Sequence, residues 1–114
     1  MDDERMELIK GTLDVLILRT LAGEPMHGYG ISQWIRNRTG DTLAVQDAAL
    51  YQALRRLERK GWVEAEWGLS ENNRRARYYT LTPAGRKRLG AEVRAWRRYA
   101  EAVSQVLEPL MGEG

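Results

Sequence analysis

Arginine, tyrosine and asparagine concentrate in one stretch of this chain, between Asp47 and Arg88. Arg74, Arg75 and Arg77 close a turn-rich run, Gly68-Leu69-Ser70-Glu71-Asn72-Asn73. The planar guanidinium pairs bidentately with phosphate and enters a narrow minor groove, so three of them beside a turn suit a nucleic-acid backbone. Just upstream, Ala48, Ala49, Tyr51, Gln52 and Arg55 share a segment in which Leu50, Leu54 and Leu57 recur at i, i+4 and i+7. That spacing predicts a helix with an apolar stripe, ended by Gly61. At about 100° per residue, Ala48, Gln52, Arg55 and Arg59 fall away from the stripe and Tyr51 falls on its flank. A glutamine amide there can bond an adenine edge bidentately.

The elements that must hold these residues follow from pattern. Trp62 to Trp67 and Arg75 to Leu81 carry the aromatic and alternating character of two short strands, and Gly68 to Arg74 supplies the turn between them. Asp47 is the expected N-cap of the helix before them. A preceding helix from Gly28 to Arg38, with apolar contacts from Tyr29, Ile31, Trp34 and Ile35, makes a helix-turn-helix pair in which the second member enters the major groove. A first helix is expected from Met6 to Leu21, and Gly11 within it allows a start at Thr12 instead. Ala22 to Met26 and Thr39 to Val45 read as short connections.

Thr82-Pro83 opens a last helix, since threonine caps and proline is tolerated at the first helical position. Pro109 limits it near Leu107. Leu89, Val93, Trp96, Ala100, Val103 and Leu107 are spaced 4, 3, 4, 3 and 4 apart, which is a heptad seam. Such a seam needs a partner, and the simplest is a second copy. A two-fold dimer places two recognition helices about 34–36 Å apart, at successive major-groove faces of an inverted repeat.

The expected architecture is therefore mainly α with a small β-hairpin: a winged helix-turn-helix over residues 1–82 and a C-terminal dimerisation helix over residues 83–110. The 114 residues, 43% of them hydrophobic, leave room for one core. Net charge is +2, but from Arg74 to Arg98 nine cations face one acid, Glu92, while Asp2, Asp3, Glu4 and Glu7 crowd the N-terminus. This polarisation predicts one basic face. With no cysteine and one histidine, no thiolate chemistry, cysteine-based zinc site or catalytic constellation can be drawn, so no enzyme, metal or cofactor is expected. The acidic N-terminus and the short longest apolar run, Val15-Leu16-Ile17-Leu18, predict neither secretion nor a membrane span, and the cytoplasm is the simplest home.

Together the segments resemble the PadR-like transcriptional regulators. The resemblance is carried by Lys10-Gly11-Thr12-Leu13-Asp14, Met26-His27-Gly28-Tyr29-Gly30-Ile31, Leu50-Tyr51-Gln52-Ala53-Leu54-Arg55-Arg56-Leu57-Glu58, Gly61-Trp62-Val63, Asn72-Asn73-Arg74-Arg75-Ala76-Arg77-Tyr78-Tyr79 and Leu81-Thr82-Pro83-Ala84-Gly85. It implies a homodimeric winged-helix regulator of double-stranded DNA, most such proteins being repressors relieved by a small molecule, and the single terminal helix resembles the short subgroup. The family usually carries Gly or Ser, then Thr or Ser, before its Leu-Tyr pair and Pro after it. Here stand Ala48, Ala49 and Gln52, so a hydroxyl contact to phosphate is lost and specificity is expected to differ.

The resemblance also gives Trp96 a second reading. On the seam it packs across a dimer; in some members of the family a similar position stacks flat aromatic compounds in a pore at the dimer centre, and Leu8, Val15 and Leu18 lie on one stripe of the first helix that could line such a pore. Tyr51 likewise has two readings, a phosphate contact or a strut between helix and wing. Arg56, Lys60 and Arg86-Lys87-Arg88 read as solvated charge, His27 as structural, and Asn73 as a turn residue with a secondary role toward DNA. The competing function is a winged-helix module for protein or RNA, without sequence-specific duplex binding.

Overall fold

The computed structural model describes residues 6–7 and 11–108. Nine elements follow one another: β1 (Met6–Glu7), α1 (Thr12–Leu21), β2 (Met26–His27), α2 (Gly28–Arg38), β3 (Leu43–Ala44), α3 (Asp47–Arg59), β4 (Val63–Leu69), β5 (Arg75–Leu81) and α4 (Pro83–Leu107).

The first helix starts at Thr12 rather than Met6, because Gly11 takes a left-handed φ of 95° that no continuing helix allows. Met6–Glu7 instead pairs in parallel with Leu43–Ala44. Residue Leu8 lies outside the described residues. The expected hairpin gains a third strand: Met26 and His27 pair with Tyr79 and Tyr78 on β5, giving the antiparallel order β2-β5-β4. Two-residue strands show no alternation, so nothing in the pattern separates them from loop.

The core is assembled from one face of each main element. Ile17, Leu18 and Leu21 of α1, Ile31 and Ile35 of α2, and Leu50, Ala53, Leu54 and Leu57 of α3 are buried, and Val63, Tyr79 and Leu81 close it from the sheet. Burying each large aliphatic side chain contributes about 1.5–3 kcal/mol relative to exposure. Tyr29 departs from expectation: it is 69% exposed and lies outside this core. Asp47 departs too. It is the first residue of α3, preceded by Gln46 at the cap position with no side-chain cap bond, so its carboxylate meets the helix dipole within the first turn instead.

Thr82 caps α4 as its chemistry requires, its Oγ1 accepting from the Gly85 N–H at 3.0 Å while its own hydroxyl donates to the Gly61 carbonyl at 2.7 Å. Gly85 is needed for this docking, since a Cβ there would sit 2.0 Å from the Trp62 carbonyl oxygen. The expected seam on α4 divides. Leu89 is buried and Val93 packs against the core within the chain, whereas Trp96, Val103 and Leu107 are exposed and Ala100 is half-buried. Leu89 and Val93 are thus consumed by their own domain, because α4 first runs along α1 before it leaves it.

Candidate nucleic-acid interface

Helix α3 separates its two faces sharply. Its leucines are 0–1% exposed, while Ala48, Ala49, Gln52, Arg55 and Arg59 face outward and Tyr51 is 42% exposed. The helix is held by ion pairs on two sides. Arg56 meets Asp14 of α1, and Arg77 of β5 meets Glu58 at 3.0 Å. Arg56 is therefore an anchor between helices rather than solvated charge. Both pairs are partly exposed, and each contributes at most about 1 kcal/mol.

The wing is formed by β4, β5 and the turn between them. Strand β4 reaches Leu69, so the turn is shorter than the sequence suggested: the Ser70 N–H donates to the Arg74 carbonyl at 2.8 Å and the Asn73 N–H to the Ser70 carbonyl at 2.9 Å. Asn73 takes a φ of 61°, a conformation asparagine tolerates better than most residues, and this fits a turn role. The register pairs Val63 with Leu81, Ala65 with Tyr79, Trp67 with Arg77 and Leu69 with Arg75. All eight share one face of the ribbon, since side chains two apart point the same way. At its base that face is core; further out it carries Arg77, half-buried, and then Trp67 and Arg75, both exposed.

A cleft of about 510 Å³ lies where the wing, α3 and the start of α2 converge. Tyr51, Arg55, Arg74, Arg75 and Arg77 all line it, and no carboxylate does. Ala48, Ala49, Gln52 and Asn73 lie outside it; the first three continue the exposed face of α3 and Asn73 sits on the wing turn. Arg77 is the least free of the arginines. Glu58 holds its guanidinium, the rings of Trp67 and Tyr79 lie 6.0 and 5.9 Å away, and its Nε is buried without a hydrogen-bond partner among the described residues. Its position ties the wing to α3.

Several cleft residues escaped the sequence reading. His27 accepts the Gly30 N–H at its Nδ1, 2.9 Å away, and so caps α2, while its ring lies 5.1 Å from that of Tyr78. Gly28 is buried under Tyr51: a Cβ would meet the phenol oxygen at 2.5 Å. The glycine therefore leaves the space in which the Tyr51 phenol lies, so a side chain that stays 42% exposed also packs against the start of α2. Trp67 is 60% exposed with the Arg75 guanidinium 4.6 Å from its ring. Its parity with Val63 and Ala65 was the available signal. Burial raises the Tyr79 phenol above its ordinary pKa, against the opposing pull of Arg77.

A second, smaller groove of about 290 Å³ separates α1 from α4. Val15, Trp96 and Tyr99 line it, with the two aromatic rings 6.0 Å apart. Leu18, expected as a wall of this space, is 0% exposed in the core instead, because the buried side of α1 faces α2 and α3 as well as α4. Among the described residues no helix is long and apolar enough to cross a membrane, and no group of acidic or histidine side chains has metal-binding geometry.

A helix-turn-helix followed by a basic two-stranded wing defines the winged-helix class of DNA-binding regulator. The profile of the transcriptional regulator PadR-like family matches residues 17–91, and the chain belongs to that family. A transcriptional regulator of Clostridium thermocellum superposes with a TM-score of 0.80 at 30% identity, over 88% of this chain and 97% of that one. A PadR family transcription regulator of Clostridium difficile gives 0.73 at 28%, over 85% and 99%. An uncharacterised protein of Lysinibacillus sphaericus is 35% identical over 106 residues, 93% of this chain and 97% of its own length. Members of the family are transcriptional regulators, not enzymes.

Proposed function

We propose that this PadR-like regulator is a repressor that binds an inverted-repeat operator as a homodimer and is released by a small hydrophobic or aromatic effector. The observation that carries the DNA half is the convergence of Tyr51, Arg55, Arg74, Arg75 and Arg77 on one acid-free cleft beside the exposed face of α3. In this reading Gln52 and Arg55 meet base edges from α3, Ala48 and Ala49 allow close approach to the duplex, and Tyr51 and the wing arginines meet phosphates, with Asn73 beside them. Arg77 contributes chiefly by fixing the wing.

The homodimer half is supported by the exposed apolar residues of α4, Trp96, Val103 and Leu107 among them, which continue past the end of the chain's own core. The groove beside Trp96 and Val15 is the proposed effector site, with an aromatic ring packed on the indole. Electrophoretic mobility shift with the chain's own upstream region tests the whole reading. Expected is retention of one inverted repeat over random duplex, with a log–log salt slope near −5 for about 6 phosphates neutralised per dimer. Binding that ignores sequence and survives substitution of Gln52 points instead to an RNA or protein module.

A further inference from the structure

The DNA contacts proposed above account for the arginines of the cleft and for Tyr51, but not for Tyr29 or for Trp67, which stays largely exposed even with the Arg75 guanidinium 4.6 Å from its ring. Tyr29, Trp67 and Tyr51 line it and remain 69%, 60% and 42% exposed. An intact duplex keeps its base faces stacked and offers a wing only edges, sugars and phosphates. An exposed aromatic ring matches the π-face of an unstacked base, which stacks on it whatever the base's identity.

The charges narrow the ligand further. Among the described residues Arg55, Arg74 and Arg75 have no carboxylate partner, and α2 begins at Gly28 on the cleft wall, adding the positive end of its dipole. A singly charged aromatic acid leaves most of that field uncompensated. Several phosphates on one small molecule meet it, and a volume of about 510 Å³ lies within the usual range for small-ligand sites.

We propose that this cleft binds a free nucleoside polyphosphate, its base against Trp67 and its phosphates among Arg55, Arg74 and Arg75. The site overlaps the surface assigned above to DNA and rests on that reading for its consequence: nucleotide and operator exclude one another, so the regulator's grip follows the nucleotide pool. This is independent of the groove at Trp96.

Isothermal titration of the full chain at low salt tests the proposal, with ATP and GTP as probes and inorganic tripolyphosphate and a short single-stranded oligonucleotide as the other arms. Expected is one nucleotide per chain, bound more tightly than tripolyphosphate, weakened about tenfold or more by Trp67→Ala and largely restored by Trp67→Phe. Because Trp67 is exposed, both variants should melt like the wild type, and circular dichroism checks this. Equal affinity for tripolyphosphate, indifference to Trp67→Ala, or binding of the oligonucleotide alone overturns the site. Mobility shift with added nucleotide separates the two readings. Nucleotide binding without operator binding sinks the repressor and keeps the site; operator binding untouched by saturating nucleotide sinks the competition.

Discussion

Helices α3 and α4 carry apolar stripes that look alike in sequence and end differently in the fold. On α3 every stripe residue, Leu50, Ala53, Leu54 and Leu57, is buried by its own chain. On α4 only Leu89 and Val93 are so used, and the stripe beyond them stays open, with Val103 38% and Leu107 47% exposed. The contrast separates two kinds of encoded information. One stripe specifies how the chain folds, and the other is left for whatever the chain meets.

Substitutions at matched positions test that division. Leu54→Ala removes a fully buried side chain and should cost about 2–5 kcal/mol of folding stability, measured by urea denaturation. Leu107→Asp should leave each chain's folding stability nearly unchanged while weakening the proposed dimer by roughly 10–100-fold, about 1.5–3 kcal/mol of lost apolar burial. Sedimentation over a range of concentrations measures it, and unchanged self-association would erase the distinction between the two stripes.

Smaller effects sharpen the picture on the reading side. Arg74→Ala should reduce the magnitude of the salt slope of operator binding by about 1 without altering the melting transition, whereas Arg56→Ala should leave the slope alone and cost less than about 1 kcal/mol of stability. The smallest effect is titrational. Tyr79 holds its proton more tightly folded than unfolded, so its contribution is fully present below the ordinary phenol pKa of about 10 and is lost as pH rises past it. Tyr79→Phe should flatten the fall in stability above that pH.

Much of this was legible in advance where pattern and chemistry agreed. The bounds of α2, the Thr82-Pro83 start of α4 and the outward face of α3 all follow from periodicity and capping. What escaped depends on contacts between distant segments. The strands β1, β2 and β3 exist only through their partners, the burial of Leu18 reflects three neighbouring elements, and Arg56 reveals its ion pair only once Asp14 is beside it. The cleft shows the same limit. Its arginines announced themselves by type, but Gly28 and Tyr29 join them only because β2 brings the start of α2 against the wing.

The anchoring of α4 at Gly85 gives the helix the mechanics of a lever. Its root is seated on the Trp62 carbonyl with no space for even a methyl group, so that end acts as a fulcrum. A tilt of about 5° there carries the far end of a helix roughly 37 Å long through about 3 Å. In the proposed dimer the same geometry works in reverse: a small wedge far out on the arm turns the two fulcrums, and the gap between the paired readers is reset at leverage.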